Sequence, residues 1–120
     1  MNGHVDERNR ALLTIEIGKT ANGPSHKVVA WVDTAFDGHL VCSQDLIARL
    51  NLETLADTEA ILADGSKIVI QTFLGFVSWF GTTIPIQVIS NDGKYPLLGT
   101  ELLVGRKLSI NYETKEVCLE

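Results

Sequence analysis

Trp31-Val32-Asp33-Thr34-Ala35-Phe36-Asp37-Gly38 joins an apolar run to a carboxylate. The residues before it, Lys27 to Val32, are apolar on both faces, which predicts a central, buried strand. Asp33 ends that strand. A carboxylate set directly after a buried strand is poorly solvated, and such a placement is unfavourable unless the group is paired or protonated. Asp-Thr alone is a common turn dipeptide; the apolar run ahead of it is what singles it out. Asp37-Gly38, four residues on, reads as a turn. Downstream, Pro96-Leu97-Leu98-Gly99-Thr100-Glu101-Leu102-Leu103 reads as a second apolar strand ending at glycine. Between the two lies Ala63-Asp64-Gly65-Ser66, a turn flanked by β-rich runs and so a hairpin signal.

The rest of the chain extends this pattern. Leu13, Ile15 and Ile17 alternate with Thr14 and Glu16, the period of a half-buried strand. Asn22-Gly23-Pro24 marks a turn. Leu40-Val41-Cys42 is a short extended piece, and Ser43 can cap a helix from Gln44 to about Leu50, with Leu46, Ile47 and Leu50 as its apolar stripe. Strands are expected over Thr58 to Leu62, Lys67 to Trp79, and around Ile84, Ile86 and Val88, with Pro85 at an edge or non-bonded position. Leu108, Ile110 and Tyr112 alternate again, Glu113 to Lys115 turn the chain, and Val117 and Leu119 close it. Many short strands with regular turns and one helix predict a mostly β domain, barrel-like or sandwich-like. Residues 1–10 are polar and are expected as a flexible arm, leaving 11–120 as a single domain.

Composition limits the functions available. The 120 residues carry 10 basic and 15 acidic side chains, net −5, which argues against binding a nucleic-acid backbone. No apolar run approaches the roughly 20 residues of a membrane helix, and the polar N-terminus lacks an apolar signal segment, so a cytoplasmic protein is expected. Cys42 and Cys118 form no CxxC; a zinc site is not expected, and Cys42 reads as core. Trp31 and Trp79 also read as core.

The three motifs together resemble the retropepsin-like aspartic proteases, in particular their small bacterial-type single-domain relatives. That family carries two apolar residues before Asp-Thr/Ser-Gly; here the motif is Trp31-Val32-Asp33-Thr34-Ala35. Its later apolar-apolar-Gly motif matches Leu97-Leu98-Gly99, followed by a short helix at Thr100 to Leu103, and its flap hairpin matches Ala63-Asp64-Gly65-Ser66. The order holds from about Leu12 to Leu119. The resemblance implies a closed retropepsin-like barrel with one short helix. It implies Asp33 as catalytic, Thr34 and Ala35 as support for its loop, and Phe36, Ala63, Asp64, Gly65, Leu98 and Gly99 as cleft and flap residues against a peptide or protein substrate. Ala35 departs from the family's glycine, and a methyl group there narrows the space beside the carboxylate.

Peptide hydrolysis by carboxylates needs two of them sharing one proton, one as general base on water and the other as general acid on the carbonyl oxygen. The chain offers one Asp-Thr after a buried strand and no internal repeat. An aspartic endopeptidase of this size is therefore expected to be a C2 homodimer with one Asp33 from each chain and no metal or organic cofactor. The resemblance further implies that Thr34 bonds across the interface and that the termini, Val117 to Glu120 among them, pair in an intersubunit sheet. Two alternatives stand beside this: a catalytically inactive protease-fold module that holds an extended peptide by strand addition, and a metal-binding loop of Asp33, Asp37 and His39.

Overall fold

The computed structural model describes all residues, Met1 to Glu120. Ten strands run in chain order: β1 (Asn2–Val5), β2 (Ala11–Gly18), β3 (Ser25–Val32), β4 (Leu40–Ser43), β5 (Glu53–Ile61), β6 (Lys67–Trp79), β7 (Thr82–Asn91), β8 (Leu97–Leu98), β9 (Leu108–Asn111) and β10 (Glu116–Leu119). One α-helix, α1 (Gln44–Leu50), follows β4, and a 3₁₀ turn spans Thr100–Leu102. The strands form one sheet in the order β5-β6-β7-β4-β8-β3-β2-β1-β10-β9. β2 also pairs with β6, Ile17 opposite Val77 and Gly18 opposite Phe76, so the sheet folds back on itself. No helix is long and apolar enough to cross a membrane.

The core follows from the alternation of the strands. Leu13, Ile15 and Ile17 of β2 face inward, with Val28, Ala30 and Val32 of β3 opposite, and Leu40, Val77, Val88, Leu98 and Leu119 complete the centre. The helix forms as its sequence directs. Ser43 Oγ accepts a bond from the Leu46 N–H at 3.2 Å, Asp45 sits in the first turn, and Asn51 ends the helix in the left-handed region at φ 55°. Its apolar face buries Ile47 and Leu50.

Three expectations are corrected. β3 is central in its pairing, but its pattern is half-buried: Lys27, Val29 and Trp31 point outward. The apolar residues on that outer face do not mean burial. Residues 1–10 are not a free arm. β1 pairs on one side with β10 and on the other with β2, and Val5 is buried. A turn closed by the Asp6 N–H to the Arg10 carbonyl, 3.0 Å, joins β1 to β2. Finally, Val117 to Glu120 are not free for an intersubunit sheet. β10 lies between β1 and β9 of its own chain, and Glu120 exchanges backbone bonds with Lys107.

Candidate active site

Asp33 leaves the end of β3 at the point where β3 runs parallel to β8, Trp31 beside Leu97 and Val32 beside Leu98. The pairing extends one residue further: the Asp33 N–H donates to the Leu98 carbonyl at 2.9 Å. Thr34 and Ala35 form the turn beyond it, and the Phe36 N–H returns to the Asp33 carbonyl at 3.2 Å. The carboxylate is tied into the same turn, since Asp33 Oδ1 accepts the Ala35 N–H at 3.0 Å. A short polar side chain bonding two residues ahead is the usual way to lock such a turn. Ala35 is not among the residues with positive φ. Its methyl group therefore strains no backbone, and the departure from glycine is accommodated in this conformation.

A second set of bonds fixes the loop from behind. The Gly99 N–H donates to the His39 carbonyl at 2.9 Å, Thr100 N–H to Phe36 O at 2.8 Å, and Glu101 N–H to Gly38 O at 3.1 Å. These bonds bring the two chain segments so close that a Cβ on Gly99 would overlap the Gly38 carbonyl oxygen and lie 2.8 Å from Phe36 O. Only glycine permits that approach. The Phe36 ring lies against Gly38 and Gly99, since a Cβ at either glycine would meet it. Phe36 thus packs under the loop. Leu98 is fully buried in the core and Gly99 is buried behind the loop, so neither lines the open side.

The open side is a groove of about 390 Å³ bounded by Trp31, Val32, Asp33, Thr34, Ala35 and Leu97. Asp33 is half-buried there and Thr34 and Ala35 are exposed. Trp31, expected in the core, is 39 % exposed and forms one wall. Arg10 covers it, its guanidinium 5.8 Å from the Trp31 ring centroid and 4.2 Å from that of Tyr95. Asp6 fixes the Arg10 side chain through bonds of 2.7 Å to Nε and Nη2. Burial of the Asp6 carboxyl pushes its pKa up, but the bonds from Arg10 and the Arg8 N–H outweigh that and hold it below the ordinary value. Trp31, Leu97 and Arg10 were missed in the sequence. A two-residue alternation applied to Val28, Ala30 and Val32 finds Trp31; Arg10 leaves no local signal.

The hairpin expected at Ala63 to Ser66 is present at the tip of β5 and β6, with Gly65 at φ +86°. Asp64 Oδ1 accepts from Ser66 Oγ at 2.6 Å and from the Ser66 N–H at 2.9 Å. Those two bonds, the hydroxyl's first, lower the Asp64 pKa. Apolar side chains near the tip stand in solvent, among them Ile61, Leu62, Ile68 and Val69. A larger groove, about 700 Å³, runs between this hairpin and β4 and β7, lined by Val41, Asp57, Ile68, Ile70 and Ile89 among others, and does not include Asp33. Asp33, Asp37 and His39 do not gather into a cluster fit for a metal ion. His39 Nδ1 instead accepts the Gln87 N–H at 3.4 Å. Cys42 is buried in the core, and burial raises its thiol pKa to about 12.

A retropepsin-like aspartic protease from Rickettsia conorii superposes on this chain with a TM-score of 0.69, over 99 % of this chain and 88 % of the other, at 17 % identity. The chain has the retropepsin-like fold. The EIAV protease, solved with the inhibitor HBY-793, matches with a TM-score of 0.59 over 88 % of this chain and 97 % of its own, at 18 % identity. No protein-family model matches the sequence, and no curated protein matches it. The likeness lies in the path of the chain.

Proposed function

We propose that this protein is an aspartic endopeptidase that works as a homodimer, with Asp33 of each chain forming the catalytic dyad. The observation that carries the reading is the Asp33 loop: a carboxylate at the end of a central, half-buried strand, locked by its own turn and by the Gly99 segment behind it, facing an open groove. One ionised Asp33 takes a proton from water while the other, protonated, donates to the scissile carbonyl oxygen as the water oxygen bonds to carbon. The proton then passes to the departing nitrogen as the C–N bond breaks. Thr34, exposed beside Asp33, would bond across the interface, and the hairpin at Ala63 to Gly65 would lie over the substrate and exclude water. The β2–β6 pairing supports reading the sheet as a closed barrel. Both cysteines are free, which suits a reducing compartment such as the cytoplasm.

The test is cleavage of a denatured protein mixture at mildly acidic pH, with and without chelator. Parent protein should cut in both, and Asp33→Asn should cut in neither while unfolding at the same denaturant concentration. Equal cutting by parent and variant would refute the assignment. One observation favours a second reading, an inactive peptide-binding module: the Ala35 methyl borders the groove where the family has no side chain. Peptide retention without any cleavage would support that reading.

A further inference from the structure

The register of the sheet joins the two grooves. Trp31 pairs with Leu97, Leu97 with Val41, and Val41 with Ile89. Residues directly opposite each other in a sheet share a face. Their chain neighbours Val32, Leu98, Leu40 and Val88 are buried on the other face, in the core. One apolar row therefore crosses β3, β8, β4 and β7, from the wall of the Asp33 groove to the floor of the groove of about 700 Å³. Ile68 and Ile70 of β6 close its far side. The rim of this larger groove carries one sign of charge. Asp57 and Asp92 line it, and no lysine, arginine or histidine does; Lys67 and Lys94 lie close in sequence yet outside the lining. Asp57 is set on β5 opposite Gln71. Asp92 stands in the turn after β7, which is locked by the Gly93 N–H donating to Asn91 Oδ1 at 3.1 Å. Neither carboxylate has an ionic partner, since the chain's single ion pair joins Arg10 to Asp6.

We infer that this groove selects substrates with a lysine or arginine side chain, its stem on Val41, Ile70 and Ile89 and its charged end between Asp57 and Asp92. This rests on the endopeptidase reading above and names the substrate class that the site favours. Lysine and arginine are the side chains that match such a groove, because they bury an apolar stem while keeping a cationic end at the rim. An acidic side chain would meet like charge there. A neutral apolar one would fill the floor and leave both carboxylates without a partner. The net charge of −5 acts in the same direction, drawing basic peptides toward the protein. The row also sets the position of the basic residue. Leu97 and Ile89 are two strand spacings apart, about 10 Å, and an extended peptide advances about 3.3 Å per residue. The basic residue thus falls within about four residues of the scissile bond. A two-fold dimer presents the groove twice, so the preference is expected on both sides of that bond.

Matched peptides test this, because exchanging lysine for norleucine removes the charge and keeps the stem. In a mixed peptide library cut by the parent, with sites mapped by mass spectrometry, lysine and arginine should be enriched at a fixed position within that span. At that position the parent should favour the lysine peptide over its norleucine twin in kcat/KM on the order of tenfold. Asp57→Asn combined with Asp92→Asn should bring the ratio close to one. Asp57→Lys combined with Asp92→Lys should turn the preference to glutamate. Both side chains are exposed, so all of these variants should unfold as the parent does. A parent that cuts both twins equally, or a double asparagine variant that keeps the lysine preference, overturns the proposal and leaves the protease reading intact. Binding separates the opposite case. In fluorescence anisotropy, Asp33→Asn protein should hold the lysine twin more tightly than the norleucine twin, and should lose that difference when Asp57 and Asp92 are also replaced by asparagine. The same result with a parent that never cleaves refutes the endopeptidase reading and retains the selectivity of the groove. Equal binding of the twins overturns the groove proposal.

Discussion

Gly99→Ala is the substitution that tests most sharply how the Asp33 loop is held. The added Cβ would overlap the Gly38 carbonyl oxygen, lie 2.8 Å from Phe36 O and 2.5 Å from a carbon of the Phe36 ring. Two of those neighbours are backbone, so the strain cannot be relieved by turning one side chain. Overpacking of this kind costs about 1–3 kcal/mol. Moving the segments apart also weakens the Thr100 to Phe36 and Glu101 to Gly38 bonds, each worth about 0.5–1.5 kcal/mol. The expected loss is therefore about 2–6 kcal/mol, a large part of the roughly 5–15 kcal/mol that stabilises a domain. Gly65→Ala provides the contrast: nothing lies within 4 Å of a Cβ there, and only the φ of +86° is strained, which costs about 1–2 kcal/mol. Urea unfolding of parent and both variants gives the comparison. A Gly99→Ala variant within about 0.5 kcal/mol of the parent, the range of an ordinary surface change, would show that the loop is not packed against Gly99 as described.

Three further outcomes are expected. Asp6 has a lowered pKa in the folded chain, so its contribution is present above the ordinary value of 3.8 and is lost as pH falls through the folded value. The unfolding midpoints of parent and Asp6→Asn should therefore differ at pH 7 and converge below 3.8; a gap independent of pH would refute the role given to the Asp6–Arg10 pair. The Cys42 thiol, raised to about 12 from 9.0, stabilises the fold below pH 9 and loses that effect as pH rises toward 12. Native protein should accordingly alkylate at Cys42 only on unfolding, and rapid labelling of Cys42 itself in the folded chain at pH 8, located by peptide mass spectrometry apart from the partly exposed Cys118, would contradict its burial. In the proposed dimer the two Asp33 side chains meet at close range, where like charges repel. Asp33→Asn should therefore tighten association at pH 7 in sedimentation, and an unchanged affinity would remove Asp33 from the interface.

Much of the fold was legible because alternation and turn chemistry are local. Leu13, Ile15 and Ile17, the Ser43 cap and the run from Lys67 to Trp79 all lie where their patterns put them. β5 starts at Glu53, five residues before the strand expected at Thr58, because its residues are exposed on both faces and show no alternation. The N-terminal strand was hidden by its brevity: four residues, of which only Val5 is buried. Asp33 and its turn could be read from the motif. The groove wall could not, because it depends on Trp31 meeting Leu97 across a parallel pair and on Arg10 arriving from the turn between β1 and β2. The apolar surface of Trp31 looked like core until the pairing of β3 and β8 fixed which face it occupies.

The most direct measurement is the separation of the two Asp33 carboxylates in a crystal structure of the protein grown at mildly acidic pH. The account predicts a two-fold dimer with carboxylate oxygens about 3 Å apart, close enough to share one proton. A dimer whose Asp33 side chains face away from each other, beyond the reach of a hydrogen bond, would contradict it.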